Sequence, residues 1–212
     1  MELFIVRHGQ CRAQCDPHDA NPDSSLTPLG EAQARAVGER LATAGVTHIV
    51  SSPLVRALAT ASIIGSDCDR PIDIWIDARE IWQDAYRGAG RKELMERFPT
   101  TIFPLDVTDD GWEHSGDTED SLRARCERVA QRLVEQFDDA DRVAFVTHGG
   151  FANHLLHALL HIPDHQRMWF HMENGAISVL RFIPEQERQS WPLYPAYAIE
   201  VCALNDTSHL LL

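Results

Sequence analysis

Short apolar runs alternate along this chain with longer amphipathic ones. Leu3–Val6 is a run of four apolar residues that fits a buried strand, and it stops at Arg7-His8-Gly9. From Cys11 to Ser25 the composition turns to Asp, Asn, Pro and Ser, which predicts a loop. Thr27-Pro28-Leu29-Gly30-Glu31 then carries the marks of a helix start: Thr at the N-cap, Pro at the first helical position, Glu in the first turn. Apolar positions at Ala34, Val37, Leu41 and Ala44 continue that helix to Gly45, a stop signal. His48–Val50 predicts a second strand ending on Ser51-Ser52-Pro53, and Val55–Gly65 a second helix. Ile72–Ile76 alternates like a strand, Arg91–Phe98 reads as a short helix stopped by Pro99, and Thr118–Phe137 as a long amphipathic one. Val143–Val146 predicts another buried strand, ending on Thr147-His148-Gly149-Gly150. A helix from Phe151 to about Leu160 follows, then strands at Ile177–Phe182 and Ala198–Leu204.

This alternation predicts an α/β chain with a mainly parallel sheet covered by helices on both faces. At 212 residues, with no repeat and no linker, one domain spanning 1–212 is the simplest expectation. A hydrophobic share of 44% and a charged share of 24% are those of an ordinary globular protein. The net charge of −13 argues against nucleic acid as a partner. It also means that an anionic substrate needs a local positive pocket, so clustered arginines carry weight. No apolar run is long enough for a membrane span, and the N-terminus lacks the basic lead of a signal peptide. Five scattered cysteines suggest reduced thiols and a cytoplasmic setting.

Three short strands end in polar clusters: Arg7-His8-Gly9, Ser51-Ser52-Pro53 with Arg56 just beyond, and Thr147-His148-Gly149-Gly150. The carboxyl ends of strands line the ligand crevice in open α/β sheets, so two histidines and two arginines are expected to converge there. Arginine forks match phosphate oxygens, and a neutral imidazole is a competent nucleophile. Gly9, Gly149 and Gly150 would let backbone approach a ligand, and the helix near Phe151 could add amides to an anion site.

In order along the chain, Arg7-His8-Gly9, Leu26-Thr27-Pro28-Leu29-Gly30, Ser51-Ser52-Pro53-Leu54-Val55-Arg56-Ala57, Arg79-Glu80, Thr147-His148-Gly149-Gly150 and Asn174-Gly175-Ala176-Ile177-Ser178 resemble the blocks of the histidine phosphatase superfamily, the phosphoglycerate-mutase-like fold. The resemblance implies a three-layer α/β/α sandwich with a mostly parallel central sheet. It implies His8 as a nucleophile that becomes phosphohistidine, with Arg7, Arg56 and His148 on the phosphoryl oxygens and Gly9 and Gly149 close to them. Glu80 would protonate the leaving oxygen and then deprotonate water, ahead of the nearby Asp77, Asp84 and Glu93. The resemblance further implies no metal and no cofactor, a small phosphorylated metabolite as substrate, and a homodimer. Departures stand at Gln10-Cys11, Asp84 and Gly116-Asp117-Thr118, and they bear on the substrate pocket more than on the chemistry.

Phosphatase is the leading expectation. A cofactor-dependent mutase ranks second, because the stretch from Glu80 to Ser115 is short and poor in lysine; a non-catalytic phospho-ligand binder ranks third. Asn174 is expected to secure backbone. His154, His157, His161 and His165 cluster, the first three at helical spacing; the preferred reading is an apolar helix with its histidines turned to solvent or a subunit contact, rather than zinc. Cys11 and Cys15, with His18, read as a loop with two free thiols. Trp75, Trp82, Trp112, Tyr86 and Phe103 could wall a leaving-group pocket or fill the core.

Overall fold

Thr27 caps its helix as the sequence predicts, its side chain accepting the Gly30 amide at 3.1 Å, and Gly45 closes the helix in the left-handed region at φ 71°. The computed structural model describes residues 1–16, 18, 19, 21, 23–163, 168–190 and 197–210. In chain order it contains strand β1 (Glu2–Arg7), helix α1 (Pro28–Ala44), β2 (His48–Ser51), α2 (Val55–Cys68) and β3 (Ile72–Ile74). Next come β4 (Tyr86–Arg87), α3 (Arg91–Arg97), β5 (Thr101–Ile102), β6 (Glu113–His114) and α4 (Glu119–Gln136). The chain continues through β7 (Arg142–Thr147), α5 (Gly149–Leu159), β8 (Ile177–Phe182), α6 (Glu185–Ser190) and β9 (Ile199–Asp206).

Among the described residues seven strands form one sheet in the order β5-β3-β2-β7-β1-β8-β9. The first five run parallel, whereas β8 is antiparallel to both β1 and β9, so the sheet is mixed and mostly parallel. The remaining pair, β4 and β6, makes a small antiparallel ribbon. Side chains alternate across the sheet as strand geometry requires. Phe4 and Val6 face one core with Val37, Leu41, Leu58 and Ile64 of α1 and α2. Leu3 and Ile5 face the other, with Val129 and Leu133 of α4 and Phe151 and Leu155 of α5. The result is the three-layer α/β/α sandwich.

Register places the site. Arg7 lies opposite Thr147, and Ser51 opposite Val146, so β1, β7 and β2 end at one level. The ladder runs one residue further, with the His8 amide donating to the Thr147 carbonyl at 2.9 Å and the Ser52 amide to the Val146 carbonyl at 3.0 Å. His8, Ser52 and His148 therefore leave the sheet side by side. Two expectations need correction. The third strand stops at Ile74 and turns into a short 3-10 helix at Ile76–Ala78, which re-aims the chain toward Glu80. The helix expected from Phe151 begins at Gly149, directly after His148.

Candidate active site

His8 is buried beside its two arginines. Its Nδ1 lies 2.7 Å from the Gly9 carbonyl, an acceptor, so Nδ1 carries the ring proton and Nε2 keeps its lone pair. Arg56 Nε donates to that Nε2 at 3.1 Å. Burial, then the Arg56 and Arg7 charges, push the His8 imidazole well below its usual range, so the ring is neutral. Arg56 is itself buried in the first turn of α2. Thr60 joins that helix to the loop after His8, accepting the Gly9 amide at 3.1 Å and donating to the Arg56 carbonyl at 2.8 Å. Arg7 donates through Nη1 to the Met172 carbonyl at 2.5 Å.

His148 packs against His8 with ring centroids 5.0 Å apart and planes at 60°. Its Nε2 is 2.8 Å from the Ser52 hydroxyl, and burial followed by the Arg56 charge holds its imidazole neutral as well. Glu80 reaches the same place from the end of the 3-10 turn. Its Oε1 accepts the amides of Phe151 and Ile81, both at 2.9 Å, while Oε2 meets the Gly150 amide at a looser 3.4 Å. The start of α5 was expected to offer amides to an anion; the Gly150 and Phe151 amides instead hold the Glu80 carboxylate. Gly150 makes this docking possible, because a Cβ there would stand 2.8 Å from Oε1. A Cβ at Gly149 would stand 3.3 Å from Arg7 Nε. Of the competing carboxylates, Asp77 pairs with Arg79 and Arg128, while Asp84 and Glu93 are exposed. The side chains of Arg7, Arg56, His148 and Glu80 are thus gathered around His8.

Residues 3–191 match the sequence profile of the histidine phosphatase superfamily, branch 1. The chain belongs to that superfamily. A curated relative from Citrobacter koseri, named Probable phosphoglycerate mutase GpmB, is 30% identical over 99% of this chain and 95% of its own length. Among solved structures, YhfR from Bacillus stearothermophilus superposes with a TM-score of 0.71 at 22% identity, covering 99% of this chain and 98% of that one. Phosphoserine phosphatase from Entamoeba histolytica, solved with 3-phosphoglyceric acid, superposes at 0.65 with 21% identity, covering 99% of both chains. At these identities the two structures speak for the fold. The family match places the chain in a phosphatase branch related to small-molecule phosphatases and phosphomutases.

In this member of the histidine phosphatase superfamily the turn that carries Glu80 is braced by residues the sequence did not single out. Arg125 is 1% exposed and donates through Nη1 to the Asp77 and Arg79 carbonyls at 2.8 Å each. It also grips Asp117 with two bonds, Nε to Oδ1 at 3.2 Å and Nη2 to Oδ2 at 2.7 Å. Asp117 in turn accepts the Trp82 amide at 3.3 Å and donates its own amide to the Trp82 carbonyl at 2.7 Å. The ion pair therefore ties down the chain on both sides of Glu80. A signal was present: Arg125 falls on the buried stripe of α4 with Leu122, Cys126, Val129 and Leu133, where a charge must have a partner. Gly116-Asp117-Thr118, read as a pocket-shaping departure, supplies this brace and the α4 N-cap. From the β1–α1 loop, Asp23 accepts the Val55 amide at the start of α2 at 2.5 Å and pairs with the Tyr86 hydroxyl. Burial raises the Asp23 carboxyl.

Leu54, Trp82, Tyr86, Trp112, Arg79 and His114 line a narrow crevice beside Arg56 and Glu80. Trp75 lies elsewhere, stacked on Phe137 and edge-on to Phe145 in the core under α4, and Phe103 packs against the opposite core. Asn174 secures backbone as expected, donating to the His8 carbonyl at 3.0 Å. Of the histidines expected to turn to solvent or a subunit contact, His157 turns inward instead. His157 is buried, with Nδ1 2.8 Å from the Asn153 carbonyl, and α5 ends before His161; His165 lies outside the described residues. His154, His157 and His161 border a hollow of about 770 Å³ between α4, α5 and the β8–β9 edge, and none of the side chains around His8 lines it. No metal-binding group of three or more His, Cys, Asp or Glu occurs among the described residues. Cys11 is buried and Cys15 exposed, both as free thiols. Among the described residues no helix is long and apolar enough to cross a membrane.

Proposed function

We propose that this chain hydrolyses small phosphomonoesters without a metal, through a phosphohistidine on His8. One observation carries the reading. His8 presents a neutral, unprotonated Nε2, and two buried nitrogens on the side chains flanking it, Arg7 Nε and His148 Nδ1, have no protein partner among the described residues. An unpaired guanidinium N–H buried in a cationic site is suited to an anion, and His148 Nδ1 joins it when that nitrogen carries the ring proton. Nε2 attacks phosphorus as the ester P–O bond breaks. Arg7, Arg56 and His148 take the charge on the phosphoryl oxygens, and Gly9 and Gly149 let backbone come close. Glu80 gives a proton to the leaving oxygen; Oε2, the more loosely held oxygen, suits that role, while Oε1 keeps its two amides. In the second half-reaction Glu80 takes a proton from water, which attacks the phosphohistidine and releases inorganic phosphate.

The curated relatives favour a second reading, phosphoglycerate mutase. A mutase that handles a bisphosphorylated species needs cations for a second phosphate. Between Glu80 and Ser115, Arg87 pairs with Glu113, Arg97 pairs with Glu93 at 3.2 Å, and Arg91 donates to the Val107 and Pro104 carbonyls. Those three guanidiniums have protein partners, and exposed Lys92 is the one lysine of the segment, a small supply of cations that favours hydrolysis of a singly phosphorylated substrate. The deciding experiment is a chelator-treated screen for phosphate release over a broad panel of phosphorylated metabolites, run beside His8→Ala. Release lost in His8→Ala, together with loss of the acid-labile phosphoenzyme and an unchanged circular dichroism spectrum, supports the phosphatase. Interconversion of 3- and 2-phosphoglycerate primed by 2,3-bisphosphoglycerate, without net phosphate release, would replace it with the mutase.

A further inference from the structure

His148 is neutral and fully buried, so what it can do for a phosphoryl group depends on which ring nitrogen holds the proton. With the proton on Nδ1, the nitrogen without a protein partner is a donor. With the proton on Nε2, that nitrogen is a lone pair, which repels a phosphoryl oxygen. Nothing within the ring decides between the two.

Ser52 faces the other nitrogen. Its Oγ is 2.8 Å from Nε2 and already accepts the Leu54 amide at 3.2 Å. Ser52 is 0% exposed, so its own hydroxyl hydrogen has to be used inside the protein. If Nε2 carried the proton, Oγ would accept two hydrogen bonds and its hydrogen would have no acceptor among the described residues. If the hydroxyl donates to Nε2, every polar hydrogen of the pair has a place and the ring proton moves to Nδ1. We infer that Ser52 is a positioning residue that sets the tautomer of His148, making its Nδ1–H a donor to the phosphoryl group held at His8. This deepens the proposed phosphatase reading and rests on it for the identity of the anion.

The fold supports the pairing. Ser52 and His148 each follow directly on a strand end, on the adjacent parallel strands β2 and β7, and the Ser52 amide is itself fixed to the Val146 carbonyl at 3.0 Å. The strand ends therefore hold the two backbones side by side, within reach of the 2.8 Å contact between the side chains.

The test reads the tautomer directly. In protein labelled with ¹⁵N at histidine, two-bond ¹H–¹⁵N correlation distinguishes the two neutral forms, with His148 assigned by its loss in His148→Asn. The wild type is expected to show His148 protonated on Nδ1. Ser52→Ala should move it to the Nε2–H form or a mixture and lower kcat ten- to a hundredfold with KM changed less than threefold. Ser52→Thr, which keeps the hydroxyl, should restore both. A wild-type His148 protonated on Nε2, or an Nδ1–H population unchanged in Ser52→Ala, would overturn the inference. The wild-type spectrum needs no variant to fold and no turnover. A failure of the phosphatase reading shows up separately, as absence of phosphate release from the phosphorylated-metabolite panel.

Discussion

Replacing Gly150 with alanine should separate activity from stability. The added Cβ would stand 2.8 Å from Glu80 Oε1 and 3.1 Å from Ile81 Cδ1, both inside ordinary contact distance. Moving Oε1 out to normal contact means a shift of roughly half an ångström, and the 2.9 Å bond from the Phe151 amide lies in its path. A positioned general acid contributes about 10²–10⁴-fold, or roughly 3–5 kcal/mol of barrier, so displacing it should cost about a hundredfold in kcat. The helix should respond the other way. Gly150 has no positive φ, and Ala in place of Gly in a compatible backbone stabilises by ~0.4–1 kcal/mol. The melting temperature should therefore hold or rise.

The assay compares an alkyl phosphate with 4-nitrophenyl phosphate. The nitrophenolate leaves without a proton, so its hydrolysis should fall much less than that of the alkyl ester. A Gly150→Ala enzyme within threefold of wild type on the alkyl ester would refute the placement of Glu80 as the acid. An equal loss on both esters would refute it as well, since proton donation would then not be what was lost.

Arg125→Met should be severely destabilising, by about 3–5 kcal/mol, because it leaves Asp117 buried without its bidentate partner; urea unfolding measures this, and a loss under 1 kcal/mol would mean the brace carries little. Stability should also fall on acidification from about pH 6.5. His8 and His148 have folded pKa values pushed well below 6.5, so their contribution is complete above that pH, where neither state is protonated. Below it the unfolded imidazoles bind protons that the folded ones refuse, at about 1.4 kcal/mol per pH unit for each histidine. Denaturant unfolding at pH 7.5, 6.5 and 5.5 checks this: His8→Asn should reduce the slope, and a flat profile in the wild type would contradict the buried neutral pair.

Elements with local chemical marks were legible in the sequence. Thr27, Pro28 and Gly45 bound α1 because capping and left-handed glycine are local effects, and the strand ends at Arg7, Ser51 and Thr147 were visible as abrupt changes from apolar to polar. The direction of β8 was not legible, because an apolar run carries no sign of whether its neighbour is parallel. Nor was the burial of His157, since a histidine at helical spacing reads the same whether it faces solvent or a carbonyl one turn back. The brace joins Arg125 of α4 to a turn 46 to 48 residues earlier in the chain, a pairing that periodicity within one helix does not carry. Glu80 was legible as a candidate but its docking was not, because the anchor is a pair of backbone amides at the start of α5.

The gathered side chains come from four separate segments, and the register of the sheet holds them in common. A slip of one residue between β1 and β7 would send Phe4 and Val6 to the face now occupied by Leu3 and Ile5, and His8 would leave the sheet away from His148. Two cores oppose that slip at once, because both faces of β1 are fully packed. The helices add the second coordinate. Arg56 sits in the first turn of α2 and Glu80 is held on the first turn of α5, each fixed where a helix meets the end of a strand. Unpaired backbone amides are available there, and a short loop leaves little freedom. The same packing that excludes water from the two cores keeps both imidazoles neutral. Stability of the sandwich and readiness of His8 therefore draw on one set of contacts, and a core substitution that loosens β1 against β7 acts on both.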